Sequence, residues 1–197
     1  NKMKKISVII PAYNEEESLP LLYDRMEKLM NDMQNYEFEI LFVNDGSKDK
    51  TLEIIKNMRE KDNRICYVDF SRNFGKEIAM IAGLDYATGD CVVFMDADLQ
   101  DPPELIPQLV KYWEEGYDDV YAKRRSRKGE TWLKKFTSKV YYRVLQHLTK
   151  VEIQEDTGDF RLLDRRCVNA LKKLRESQRN TKSMFSWIGY KKKEVLY

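Results

Sequence analysis

Histidine and cysteine, the residues of many metal and nucleophilic sites, are scarce in this chain of 197 residues. The one histidine, His147, falls in a helical pattern, which argues against a metal site of several imidazoles and against a Ser-His-Asp triad. The three cysteines, Cys66, Cys91 and Cys167, are odd in number and lack the regular spacing of zinc ligands or of a disulfide framework. Reduced, buried thiols are therefore predicted.

Glycine-rich phosphate-binding motifs and long apolar runs are also missing from the sequence. Neither G-x-G-x-x-G nor G-x-x-x-x-G-K-[ST] occurs, which argues against a dinucleotide-dependent dehydrogenase and against a P-loop enzyme. No apolar run approaches the length that crosses a bilayer. The formal net charge of +2 gives no overall field for nucleic acid, so no nucleic-acid partner is predicted. Basic residues do crowd positions 123–128 and 191–193, which favours local binding of anions.

Short apolar runs alternate with amphipathic segments over the first two thirds of the chain. Runs without polar alternation predict strands covered on both faces, at 6–10, 39–43, 65–70 and 91–95. Helical spacing predicts helices at 17–33, 51–58 and 76–87 and another that begins at 103, while the last third holds a long amphipathic pattern at 131–148 and a strand-like run at 194–197. This order indicates an α/β fold with a mostly parallel central sheet flanked by helices.

Polar clusters follow each of the four predicted strands. They are Tyr13-Asn14-Glu15-Glu16, Asn44-Asp45-Gly46-Ser47, Arg72-Asn73 and Asp96-Ala97-Asp98. Open parallel sheets bind their ligands beyond the carboxyl ends of the strands. Because those ends meet at one edge of a sheet, the clusters predict a binding site there.

Asp96 and Asp98 place two carboxylates one residue apart at the end of a strand. Such a pair repels itself, and a hard divalent cation with oxygen ligands, Mg2+ or Mn2+, would relieve the repulsion. The same cation would neutralise charge on a departing diphosphate. The sequence leaves an alternative open, a turn in which these acids and Asp101 cap the following helix.

The two earlier clusters are weaker signals when each is taken alone. Asp45 is placed to accept hydrogen bonds from a base or ribose, and Gly46 permits close approach of the backbone, but a simple tight turn is the alternative. Residues 11–16 stand where a dinucleotide enzyme carries its glycine-rich turn. The alternative there is a helix start whose acids favour the helix dipole.

Five motifs together resemble those of one known family. They are Pro11-Ala12-Tyr13-Asn14-Glu15-Glu16, Asn44-Asp45-Gly46-Ser47, Ser71-Arg72-Asn73-Phe74-Gly75-Lys76, Asp96-Ala97-Asp98-Leu99-Gln100-Asp101-Pro102-Pro103-Glu104 and Gly158-Asp159-Phe160-Arg161. From residue 5 to residue 197 the chain resembles family 2 glycosyltransferases of the GT-A type. Within them it is most similar to the polyisoprenyl-phosphate branch, which includes dolichol-phosphate mannose synthase and bacterial undecaprenyl-phosphate sugar transferases. The resemblance implies a single GT-A nucleotide-diphospho-sugar transferase domain over 1–197, ending before C-terminal membrane-associated segments.

The resemblance implies roles for individual residues on the donor side. The nucleotide would be held by Pro11, Tyr13, Glu15, Asp45 and Asp96. The metal, Mg2+ or Mn2+, would be held by Asp98, Asp96 and Gln100, with Asp98 the firmer ligand. Asp98 is also one of the two expected catalytic residues.

On the acceptor side, the resemblance assigns the phosphate to Arg124, Arg127 and Ser138, and guanidinium groups do bind phosphate oxygens in pairs. A solvated basic loop is the alternative for the two arginines. Asp159 is the second expected catalytic residue, as a general base or a positioning group. Its alternative is an ion pair with Arg161 or Arg165.

The implied reaction is an inverting transfer of a sugar from a nucleotide-diphosphate donor, with UDP favoured over GDP, to a polyisoprenyl phosphate. An acceptor phosphate is already ionised at neutral pH, so positioning and charge neutralisation would do most of the work. The implied location is the cytoplasmic face of the membrane, reached through segments outside this chain, and homo-oligomerisation stays open. Two alternatives remain: a glycosyltransferase of the same fold with a saccharide acceptor, and a non-catalytic sugar-nucleotide-binding module.

Overall fold

The computed structural model describes residues 2–123, 160–178 and 192–197. The strands in these ranges are β1 (Lys4–Ala12), β2 (Tyr36–Asn44), β3 (Ile65–Asp69), β4 (Cys91–Phe94), β5 (Asp119–Lys123), β6 (Arg161–Asp164) and β7 (Lys192–Leu196). The helices are α1 (Leu19–Asp32), α2 (Thr51–Lys61), α3 (Lys76–Tyr86), α4 (Ile106–Glu114) and α5 (Arg165–Gln178), with a 3-10 turn at Pro103–Leu105. The predicted strands and helices of the first two thirds are all present, with ends shifted by a few residues.

The strands form one sheet in the order β3-β2-β1-β4-β6-β5-β7. Parallel pairs join β1 to β2 and β4, β2 to β3, and β5 to β7. β6 runs antiparallel to both of its neighbours, β4 and β5. The predicted α/β class with a mostly parallel sheet is therefore confirmed, and β6 begins at the edge where its neighbours end.

Helices cover both faces of the sheet because β1 and β4 are apolar on both sides. On one face, Ile6, Val8 and Ile10 pack with buried residues of α1, α2 and α4. On the other face, Ile9 and Phe94 pack with buried residues of α3 and α5. Full burial of each such side chain contributes about 1.5–3 kcal/mol, so the sheet gives the strand ends a rigid base.

The described residues also test several smaller predictions. Cys91 and Cys167 are buried, Cys66 is half-buried, and all three are free thiols. The amphipathic pattern at 131–148, including His147, lies outside the described residues. Among the described helices, none has both the length and the apolar character needed to cross a bilayer.

Candidate active site

The carboxyl ends of β1, β2 and β4 meet at a cleft of about 270 Å3. It is lined by Pro11, Ala12, Tyr13, Glu15, Asp45, Lys76, Asp96, Ala97 and Asp98. Three of the four polar clusters thus converge as the sequence predicted. The remaining cluster, Arg72-Asn73, lies against the backbone of Gly46.

The loops that follow β1 and β2 are tied together by backbone hydrogen bonds to side chains. The Asn14 N–H donates to Ser47 Oγ at 2.9 Å, and the Lys48 N–H donates to Asn14 Oδ1 at 2.8 Å. The Glu15 N–H donates to Thr51 Oγ1 at 2.8 Å. Asn14 has a φ of 53°, a left-handed conformation that asparagine adopts more readily than most residues. These bonds fix the position from which residues 13 and 15 face the cleft.

Glu15 lines the cleft and lies just before α1. That helix begins at Leu19, whose N–H donates to the Glu15 carbonyl at 3.1 Å, and its first turn contains no acidic residue. The Glu15 carboxylate accepts a hydrogen bond from Ser18 Oγ at 2.8 Å. Burial raises the pKa of Glu15, and the neighbouring charges of Asp98 and Asp96 raise it further. The cleft therefore concentrates negative charge.

Asp45 connects the end of β2 to the start of α3. Its side chain is buried, and its two carboxylate oxygens accept hydrogen bonds from the Phe74 N–H at 2.7 Å and the Gly75 N–H at 3.1 Å. Gly46 follows with a φ of +71°, as the tight-turn interpretation requires. Asp45 thus holds the loop before α3, and its role toward a base or ribose stays a prediction.

Asp96 and Asp98 lie on the turn after β4 and have different surroundings. Asp96 Oδ1 lies 2.5 Å from Lys76 Nζ, in a partly exposed ion pair. Asp98 is exposed, and its Oδ1 accepts the Gln100 N–H at 3.2 Å. Between them and Gln100, Leu99 has a φ of 68°, which is rare for a bulky residue and marks a constrained turn.

The buried carboxylate of Asp101 stabilises this turn by hydrogen bonds. Asp101 is 7% exposed and accepts hydrogen bonds from the Asp96 N–H at 3.0 Å and from the Tyr197 hydroxyl at 3.3 Å. Burial raises its pKa, and the charge of Asp96 adds to that effect. Neither the 3-10 turn at Pro103 nor α4 has a side-chain cap, so the helix-capping alternative does not hold.

The carboxylates of the cleft suit a divalent cation that shares its ligands with a substrate. No group of three or more His, Cys, Asp or Glu residues converges on one point among the described residues. Mg2+ and similar ions, however, commonly take one or two protein carboxylates and complete their shell with substrate phosphates and water. Asp96 and Asp98, with Gln100 nearby, fit that pattern by the chemistry of their oxygen donors.

The predicted acceptor residues Arg124, Arg127 and Ser138, and the predicted catalytic Asp159, lie outside the described residues. The two arginines considered as partners for Asp159 do have other contacts. Arg161 Nε lies 3.2 Å from Asp119 Oδ1, and Arg165 donates to the Gly89 and Ala87 carbonyls at 2.8 and 2.9 Å.

Lys76 is the charged residue of the cleft lining to which sequence reasoning gave no role. Its place in Ser71-Arg72-Asn73-Phe74-Gly75-Lys76, a motif that begins shortly after β3 ends, could have indicated that Lys76 belongs to the site.

Comparison with known proteins supplies the family. The family model described as Glycosyl transferase family 2 matches residues 7–171. The chain is 51% identical over 193 residues to the glycosyltransferase sll0501 of Synechocystis sp., and covers 98% of itself and 60% of that relative. It is also 42% identical over 193 residues to the prophage bactoprenol glucosyl transferase homolog of Escherichia coli K12. That alignment includes 98% of this chain and 63% of the relative. The chain therefore spans about three fifths of the length of these relatives.

Solved structures agree on the fold. Glucosyl-3-phosphoglycerate synthase from Mycobacterium tuberculosis, in complex with Mn2+, UDP and glucosyl-3-phosphoglycerate, matches with a TM-score of 0.61 at 20% identity. The match covers 98% of this chain and 70% of that one. The likeness shows that the described sheet and helices form the GT-A fold.

Proposed function

Because the chain belongs to glycosyl transferase family 2, we propose that it transfers a sugar from a nucleotide-diphosphate donor to a polyisoprenyl phosphate lipid. The donor half of the proposal is carried by one observation, the cleft at the ends of β1, β2 and β4 with its carboxylates and Lys76. Relatives named bactoprenol glucosyl transferase support the acceptor half. A lipid acceptor would place the reaction at a membrane surface, and we propose the cytoplasmic face.

The lining of the cleft suits a nucleotide. Tyr13 is 43% exposed, and its ring offers a flat surface on which a base can stack. Asp96 and Glu15 offer acceptors for ribose hydroxyls. Asp98 and Asp96, with Gln100, would hold a Mg2+ or Mn2+ ion, which when bound supplies positive charge to the leaving diphosphate.

The acceptor half needs little proton transfer, because a phosphate monoester is ionised at neutral pH. The protein then has to orient the phosphate toward the sugar and exclude water. We propose Arg124, Arg127 and Ser138 for binding that phosphate, and Asp159 for positioning groups near the reacting sugar, with general-base action as the other possible role.

The test is a calorimetric titration of UDP and of GDP in the presence of Mn2+ and then of a chelator. We expect one nucleotide to bind with Mn2+. Removal of the metal should weaken binding at least about tenfold because the charge of the diphosphate is no longer offset, and Asp98→Asn should do the same because a ligand carboxylate is neutralised. Asp24→Asn, at an exposed position of α1, is the matched control and should leave the affinity unchanged. Failure of both nucleotides to bind wild-type protein, with or without metal, would refute the proposal.

The acceptor class is tested by transfer assays with the matching donor. Polyisoprenyl phosphate, the unphosphorylated polyisoprenol and soluble saccharides are compared as acceptors. We expect product from the lipid phosphate alone, because the phosphate supplies both the ionised nucleophile and the binding handle. Transfer to saccharides but not to the lipid phosphate would overturn the lipid half and leave the donor half standing.

A further inference from the structure

Lys76 is the first residue of α3, and its ammonium contacts Asp96 inside the cleft. Among the described residues that line the cleft, it alone carries a positive charge. We propose that Lys76 binds the diphosphate of the donor and gives up its contact with Asp96 in doing so. This inference rests on the proposed function and assigns a substrate-binding residue within the same site.

The backbone around Lys76 is held in place by the end of β2. Asp45 accepts the two N–H groups of Phe74 and Gly75, the residues directly before Lys76. Gly46 lies against the backbone of residues 72 and 73 so closely that a Cβ there would be 2.3 Å from it. The start of α3 is therefore fixed relative to the cleft, while the four-carbon side chain of Lys76 has rotatable bonds through which its ammonium can change partner.

Charge balance in the cleft favours a basic partner for the diphosphate of the donor. A diphosphate carries at least two negative charges, and it would arrive among the carboxylates of Glu15, Asp96 and Asp98. A bound divalent cation offsets part of this repulsion. The Lys76 ammonium would offset more of it, through charge-assisted hydrogen bonds to phosphate oxygens.

The exchange of partners is energetically easy because the existing ion pair is weakly shielded from water. The side chain of Lys76 is 41% exposed and that of Asp96 is 30% exposed, so separating them costs little. The diphosphate is the stronger partner because it offers several acceptor oxygens and more charge. Departure of Lys76 would also remove its contact with the Asp96 carboxylate at the moment when the donor brings its ribose and metal to the cleft.

The experiment measures the affinity of Lys76 variants for UDP, UMP and uridine by calorimetry in the presence of Mn2+, with the guanosine series used if wild type prefers GDP. Lys76→Met keeps the length and removes the charge, and we expect it to bind UDP about tenfold more weakly, a loss of about 1.4 kcal/mol. Uridine affinity should stay unchanged, which also shows that the variant is folded. Lys76→Arg should restore UDP binding to within about threefold of wild type.

Lys56→Met, at an exposed position on α2, controls for the loss of one positive charge elsewhere and should bind UDP like wild type. The inference is overturned if Lys76→Met keeps wild-type affinity for UDP, or if it loses affinity for uridine and UDP equally. In either case UDP binding by wild-type protein would leave the proposed function intact. If wild-type protein binds no member of either series, the inference and the proposed function fail together.

Discussion

Replacing Gly46 with alanine is expected to move the loop that carries Lys76. A Cβ at position 46 would lie 2.3 Å from the carbonyl carbon of Arg72 and from the nitrogen of Asn73. Ordinary van der Waals contact begins at 3.4 Å, so these backbone atoms would have to retreat by about 1.1 Å. Because they belong to a backbone and not to a flexible side chain, the whole segment before α3 would have to shift.

The magnitude follows from two contributions. Gly46 has a φ of +71°, and a left-handed conformation costs an alanine about 1–2 kcal/mol. A shift of the loop also weakens the bonds from Phe74 and Gly75 to Asp45, and hydrogen bonds to charged groups are worth about 1.5–3 kcal/mol each. Partial loss of these bonds brings the total to about 3 kcal/mol, or a fall in Tm of about 6–12 °C for a chain of this size.

Two measurements check this expectation. Scanning calorimetry gives the change in Tm, and titration gives the affinity for UDP, which should fall about tenfold because Lys76 is displaced from the diphosphate. Gly116→Ala is the matched control, since Gly116 has a φ of +106° but no atom within 4 Å of a Cβ built there. An alanine at position 116, two residues after α4 ends, would have the backbone strain without the clash.

The control defines what would refute the reasoning. Gly116→Ala should lower Tm and leave UDP affinity unchanged. If Gly46→Ala also lowers Tm while its UDP affinity equals that of wild type, the loop before α3 does not transmit its position to the donor site. If Gly46→Ala leaves Tm unchanged, the close approach of residues 46 and 72–73 is not a constraint on the fold.

Two further predictions concern charged groups. Burial and the charges of Asp98 and Asp96 raise the pKa of Glu15 above its usual value of 4.5. At a pH above 4.5, ionisation of Glu15 therefore destabilises the folded state. Glu15→Gln is therefore expected to raise Tm near neutral pH by about 1–3 °C. The gain should decrease as the pH falls through the raised pKa of Glu15 and vanish below 4.5, and a gain independent of pH in thermal melts would contradict this. Arg161 and Asp119 form an ion pair whose side chains are 3% and 1% exposed. Arg161→Met should lower the free energy of unfolding in urea by about 3–5 kcal/mol, and adding Asp119→Leu should recover much of the loss, whereas a double variant as unstable as the single one would show that the pair is not the cause.

The sequence was sufficient to predict the strands and helices that position the cleft. β1 and β4 are apolar on both faces, so their runs are unambiguous, and a polar cluster marks each carboxyl end. Parallel pairing then brings Glu15, Asp45 and Asp96 to one edge without any knowledge of side-chain contacts. The direction of β6 was not predictable in this way, because its four residues, Arg161–Asp164, give the same local pattern in either orientation.

The contacts that individual side chains make in and near the cleft could not be predicted from the sequence. A lysine at the first turn of a helix is usually a solvated residue, so Lys76 gave no sign of its ion pair with Asp96. Asp101, before two prolines, has the pattern of a capping acid, and its actual contact with the Tyr197 hydroxyl joins residues 96 positions apart. Such contacts depend on tertiary packing, which local sequence propensity does not predict.

The reversed direction of β6 has a consequence for how relatives of this protein diversify. β5 ends at Lys123 and β6 begins at Arg161, and the Phe160 carbonyl just before β6 accepts the Ala122 N–H at 2.9 Å. The described residues on either side of positions 124–159, Lys123 and Phe160, are therefore neighbours at the end of β5. The proposed acceptor residues Arg124, Arg127 and Ser138 and the proposed Asp159 fall between these two points in the sequence. A segment with adjacent ends can change in length and sequence at small cost to the sheet. If these residues bind the acceptor as proposed, exchange of positions 124–159 between homologues is expected to change the acceptor and to leave the donor site unchanged.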